Sequence, residues 1–128
     1  MTTAFTMTKL VVGDLEAARA FYAAVCGLTV VERIEGPAFA EVIMRSSARG
    51  SATLILITYK GAAAPAPGEC VLVFETDDAA GFVDRAIAAG GAVTQQPQHL
   101  PDMGLTFAMV TDPEGHVVEA LQRHPPAS

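Results

Sequence analysis

Val12-Gly13-Asp14-Leu15-Glu16-Ala17-Ala18 and Thr76-Asp77-Asp78-Ala79-Ala80 are the two stretches on which the fold turns. In each, a β-rich run stops at an acidic residue and a helical pattern begins directly after it. A carboxylate at that place accepts the orphan amide protons of a first helical turn, so Asp14 and Asp78 are predicted N-caps. Both helices are predicted to end in glycine, at Cys26-Gly27-Leu28 and at Gly90-Gly91-Ala92, because glycine past a helix end takes the left-handed conformation at little cost. Asp14 to Gly27 and Asp78 to Gly91 have the same spacing, so the chain repeats with an offset of 64 residues.

Leu15, Ala18, Phe21, Tyr22 and Val25 share one face of the first helix; Ala79, Phe82, Val83, Ala86 and Ile87 share one face of the second. One strand precedes each helix, Phe5 to Val12 and Cys70 to Thr76. Three strand-like runs follow each: Leu28 to Ile34, Phe39 to Arg45 and Thr53 to Tyr59 in the first half, and Ala92 to Gln96, Leu105 to Thr111 and Val117 to Gln122 in the second. Glu35-Gly36-Pro37, Arg49-Gly50-Ser51 and Asp112-Pro113-Glu114-Gly115 punctuate them as turns. Each half therefore reads β-α-β-β-β, with module 1 over 5–59, a linker over 60–69, module 2 over 70–122 and a tail over 123–128. Leu54-Ile55-Leu56-Ile57 and Val71-Leu72-Val73-Phe74 are apolar on both faces and need cover on both. A helix covers one face. The other half of the chain, or a second chain exchanging halves in a dimer, is expected to cover the other.

Hydrophobic residues make up 51% of the 128 residues and charged ones 17%, a globular composition. The net charge is -6 and the eight Lys and Arg are dispersed, so no basic stripe exists to meet nucleic acid. No run of about 18 apolar residues is present to span a membrane. Met1 to Lys9 lacks the pattern of a signal peptide, which makes the cytoplasm the expected location. Cys26 and Cys70 are then expected to be reduced thiols rather than a disulfide.

Leu10-Val11-Val12-Gly13-Asp14-Leu15 followed by Ala20-Phe21-Tyr22 and Cys26-Gly27-Leu28, together with Phe107 to His116 and its Asp112-Pro113-Glu114-Gly115 turn leading into Val117-Val118-Glu119, resembles the vicinal oxygen chelate superfamily of glyoxalase I, bleomycin-resistance proteins and extradiol dioxygenases. The resemblance covers about Phe5 to Gln122. It implies an α+β fold of two βαβββ modules forming a cupped mixed sheet with helices on the outer face, and a homodimer. In metal-dependent members the first and last strands of each module supply the ligands. Those positions fall here on Met7, Leu56, Val71 and Glu119. Leu and Val donate nothing, a thioether suits soft ions, and one carboxylate does not hold a divalent ion tightly, so no metal and no cofactor is expected. Where glyoxalase I has an Arg for the glutathione carboxylate, this chain has Val11.

Glu119 is the candidate catalytic residue or ligand anchor; the alternative is that it is a leftover paired with Arg45 or Tyr59. Met7, Lys9, Phe39, Leu56, Val71, Phe107 and Glu119 are the expected ligand-binding set. Glu41 and Arg45 share parity on one strand and are expected to pair with each other. His116 is read as an exposed turn residue, His124 as part of a disordered Pro-rich tail, and His99 as part of a loop over 98–104. The function these residues suggest is binding of an aromatic or amphiphilic small molecule without a metal. The rivals are a metal-free isomerase, lyase or epimerase with Glu119 as base, and a metal-dependent lyase or dioxygenase with atypical ligands.

Overall fold

The first strand, β1 (Met7–Val11), is followed by α1 (Leu15–Cys26), β2 (Thr29–Glu35), β3 (Phe39–Arg45) and β4 (Thr53–Tyr59) in a computed structural model that describes residues 2–125. The second half repeats the pattern as β5 (Val71–Glu75), α2 (Ala79–Ala88), β6 (Ala92–Leu100), β7 (Leu105–Thr111) and β8 (Val117–Arg123), with a single 3-10 turn at Pro101–Met103. Two four-stranded mixed sheets result, with the orders β1-β4-β3-β2 and β5-β8-β7-β6. In each, the strand before the helix pairs in parallel with the last strand, and the other pairs are antiparallel. The class is α+β, built of two βαβββ modules.

The predicted caps are in place. Asp14 Oδ1 accepts from the Ala17 amide at 3.0 Å, and Asp78 Oδ1 from that of Gly81 at 2.9 Å. Gly27 closes α1 at φ 69°. The second helix ends differently: Ala89 is its cap, and Gly90 takes the left-handed turn at φ 92°. Gly91 serves close packing instead, since a Cβ there would stand 2.3 Å from the Thr111 carbonyl oxygen. Ile87, assigned above to the buried face of α2, is exposed.

Alternate residues of each strand meet the helices. Leu54 and Leu56 of β4, Ala108 and Val110 of β7, and Val118 and Ala120 of β8 join Phe21, Tyr22, Val25, Phe82 and Val83 in one buried cluster. The two modules therefore cover each other's helix-bearing faces. This leaves the opposite faces, called cup faces below, pointing away from the common core. The first sheet's opposite face is nonetheless buried at its centre in the single chain, with Ile55 5% and Ile57 3% exposed, while Val71 and Val73 on that of the second stand open.

The Asp-Pro-Glu-Gly-His turn fastens the modules together. Tyr22 Oη donates to Asp112 Oδ2 at 2.8 Å. Asp112 Oδ1 accepts from the Glu114 and His116 amides at 3.0 and 2.9 Å. The Glu114 carboxylate receives the Gly13 and Asp14 amides, each at 2.8 Å, at the start of α1. His116 is buried rather than exposed: Nδ1 lies 2.8 Å from Asp112 Oδ2 and Nε2 lies 3.2 Å from the Val11 carbonyl oxygen. A turn residue is read as solvated only while nothing packs on it, and here module 1 does. Two other histidine readings also change. β6 runs on to Leu100 and holds His99 in the sheet, and His124 is ordered beside it, with Nε2 2.7 Å from Thr106 Oγ1. Of the tail, residues 126–128 lie outside the described residues.

Candidate functional site

The cup faces carry most of the candidate residues. Strand parity decides which. Leu56 pairs with Leu10 and Val42, is fully buried, and belongs to the helix side. It is therefore not a site residue. The position that matches Glu119 is Ile55: Lys9 pairs with Ile55 as Val73 pairs with Glu119, and both pairings repeat at the offset of 64. A one-residue slip moves a side chain to the opposite face of a sheet, which is the whole of this correction.

Met7, Lys9 and Phe39 lie on the cup face of the first sheet; Val71, Phe107 and Glu119 lie on that of the second. Thr53 of the first face and Val71 and Val73 of the second line one groove, whereas Lys9, Phe39, Phe107 and Glu119 do not reach it. Met7 is 50% exposed, Val71 48% and Val73 54%. Glu119 is half-buried between Val73 and Met109 on the neighbouring strands. Among the described residues it makes no hydrogen bond or ion pair. Arg45 Nε instead donates to Thr53 Oγ1 at 3.1 Å, in the other sheet.

Glu41 is the residue whose importance the sequence understated. It does not pair with Arg45, because four residues along a strand separate two side chains by about 13 Å. Its partner is Lys9, with Nζ 3.1 Å from Oε2. Apart from that ion pair, no hydrogen bond reaches the buried Oε2 among the described residues. The signal was legible: one carboxylate in the apolar run Phe39-Ala40-Glu41-Val42-Ile43, at the parity of the cup face.

The groove, of about 940 Å³, lies between the C-terminal end of α1, the 46–54 segment and the free edge of β5, where Val71 and Val73 line it. Phe5, Cys26, Leu54, Cys70, Phe74 and Arg85 are among its walls, and neither Glu41 nor Glu119 reaches it. Both cysteines are free thiols. Burial pushes the Cys26 thiol up to about 12, with Arg85 acting weakly in the opposite sense. That protonated thiol is a poor nucleophile. Burial, reinforced by Asp112, also drives the Tyr22 phenol far above its ordinary value.

The metal test depends on donors. Brought together across a partner copy, the ligand positions of metal-dependent relatives would offer one thioether, Met7, one carboxylate, Glu119, and the hydrocarbons Ile55 and Val71. Among the described residues no three or more His, Cys, Asp or Glu are grouped to hold an ion. This donor set does not fit a divalent metal.

The sequence model of the Glyoxalase/Bleomycin resistance protein/Dioxygenase superfamily matches residues 4–120. The chain belongs to that superfamily. It is 28% identical over 120 residues to a probable lactoylglutathione lyase of Vibrio cholerae, covering 90% of this chain and 87% of the relative. It is 27% identical to a lactoylglutathione lyase of Arabidopsis thaliana over 89% of this chain, but spans only 42% of that longer protein. Glyoxalase I from Zea mays superposes with a TM-score of 0.76 at 22% identity, over 94% of this chain and 48% of the other, a likeness of fold. Among the described residues no helix is long and apolar enough to cross a membrane.

Proposed function

We propose that this chain is a metal-independent small-molecule-binding protein whose pocket forms when two copies pair cup to cup, the first sheet of one against the second sheet of the other. The observation that carries this reading is the donor set: three of the four positions that chelate in metal-dependent relatives hold Met7, Ile55 and Val71. Support for the pairing comes from the exposed apolar side chains Met7, Tyr59, Val71 and Val73 on faces that the helices leave bare. Exposed apolar surface of this kind marks an interaction site. Such a cup takes an aromatic or amphiphilic molecule. Sedimentation equilibrium tests the pairing, with a mass of twice 13.3 kDa expected. Binding of an aromatic ligand that is unchanged by a chelator tests the rest; binding abolished by EDTA and restored by a divalent ion would refute it.

Glu119 supports a second reading, a metal-free isomerase, lyase or epimerase. What supports it is a half-buried carboxylate that has no hydrogen bond or ion pair among the described residues and is flanked on its strand by Val117 and Leu121. Glu119→Gln would then abolish turnover and leave binding intact, whereas in a pure binder no turnover exists to lose.

A further inference from the structure

Of the eight Lys and Arg side chains, Lys9, Arg19, Arg33, Lys60 and Arg123 each stand against a carboxylate. Arg45, Arg49 and Arg85 have no such partner among the described residues, and all three gather at the groove beside β5. Arg49 and Arg85 line it, and Arg45 donates to Thr53, another of its wall residues. In a chain of net charge -6, unpaired cations collected in one place call for a reason. Packing supplies only part of one. Arg85 Nε donates to the Val25 carbonyl oxygen at 3.2 Å, and its guanidinium carbon stands 5.8 Å from the centre of the Phe82 ring. This covers the end of α1 and leaves the terminal nitrogens of Arg85 without a hydrogen bond among the described residues. Arg49, in the exposed turn between β3 and β4, makes no side-chain hydrogen bond among them either. The one acid among the walls, Glu75, is already held by Arg123 at 2.9 Å. Hydrocarbon completes the groove: Phe5, Val71 and Val73 line it exposed, and Leu54 lines it buried.

We infer that this groove binds a small amphiphilic carboxylic acid as its anion, with the carboxylate at Arg49 and Arg85 and the hydrocarbon against Phe5, Val71 and Val73. The choice of head group follows from charge and shape. A guanidinium is a planar fork of N–H donors that matches the two oxygens of a carboxylate. An ammonium head would meet two like charges. A neutral head would leave both uncompensated. An inorganic anion would meet the arginines and leave the apolar walls in water. A volume of about 940 Å³ falls in the range of small-molecule sites. The site goes beyond the proposed function. Val71 and Val73 are shared with a cup face, but Arg85 stands on α2 and Arg49 in a turn, outside both cup faces.

The test titrates the full chain at low ionic strength with 4-phenylbutyrate, 4-phenylbutanamide, 4-phenylbutylammonium and acetate, followed by calorimetry. The overall field of the chain favours the cation and opposes the anions, so a preference for the acid reports local charge. 4-Phenylbutyrate is expected to bind at least about tenfold more tightly than the amide or the ammonium, and about a hundredfold more tightly than acetate, which lacks the hydrocarbon. Arg49→Met, at an exposed turn, should lower its affinity about threefold, leave that of the amide unchanged and not move the thermal midpoint. Arg85→Met should lower it about tenfold. That variant also uncovers the Val25 carbonyl, so its thermal midpoint is read alongside, and where it does not fold, Arg49→Met and Cys70 decide. Cys70 is an exposed thiol on the groove wall, and bound 4-phenylbutyrate should slow its alkylation by N-ethylmaleimide, followed by peptide mass. Failure of the acid to bind, equal binding of acid and amide, an acid affinity unchanged in both variants, or binding that leaves Cys70 alkylation unslowed would each overturn the groove assignment, and none of these results bears on the cup.

Discussion

The helix-bearing faces of the two sheets and their cup faces have opposite characters. On the first, Asp112 alone serves Tyr22, His116 and two backbone amides, and Glu114 serves the start of α1 from the other module. On the second, Glu41 is buried with no hydrogen bond, Glu119 has no partner among the described residues, and Val71 and Val73 lie open. The polar groups of the first side are held by several hydrogen bonds each, whereas on the second Glu41 has the Lys9 ion pair alone. The first side holds the modules in register; the second carries the residues on which the proposed function rests.

The contrast sharpens with substitution. Asp112→Ala is the largest expected effect: it strands a buried phenol, an imidazole and two amides, and breaking a buried pair in this way costs about 3–5 kcal/mol. Urea unfolding followed by circular dichroism would measure it. Gly91→Ala comes next, because its Cβ would meet a backbone oxygen at 2.3 Å. Overpacking against backbone costs about 1–3 kcal/mol, read as a lower thermal midpoint.

Much of this architecture was legible from the repeat. Asp14 and Asp78 cap, Phe39–Arg45, Thr53–Tyr59 and Leu105–Thr111 are strands at the residues predicted, and the apolar periodicity found the core. The errors have one origin. Sequence reading follows a strand along its length, but faces and partners are set across strands. Thus Ile55, not the expected Leu56, stands on the cup face, and Glu41 pairs with Lys9 two strands away, not with Arg45 on its own strand. His116 differs from its expected exposure for the same reason, since the other module packs on it.

A smaller effect concerns pH. The folded chain holds the Cys26 proton to about 12 against an ordinary value of 9.0. A raised pKa means that the contribution to stability is complete below pH 9 and is lost as pH rises toward about 12. Tyr22 acts in the same direction. Unfolding free energy should therefore fall through this window, and Cys26→Ala should make the fall shallower. The smallest effect belongs to the cup: Glu119→Gln should change stability by no more than about 0.5 kcal/mol, as substitutions outside packed networks do. A loss as large as that of Asp112→Ala would erase the distinction between the two faces.

The donor chemistry of the cup is the point most open to direct trial. Protein purified without chelator, then analysed for zinc, nickel, iron and manganese by mass spectrometry, should contain far less than one ion per chain and should bind an aromatic ligand regardless. One tightly held divalent ion per chain, lost together with ligand binding on dialysis against EDTA, would contradict it.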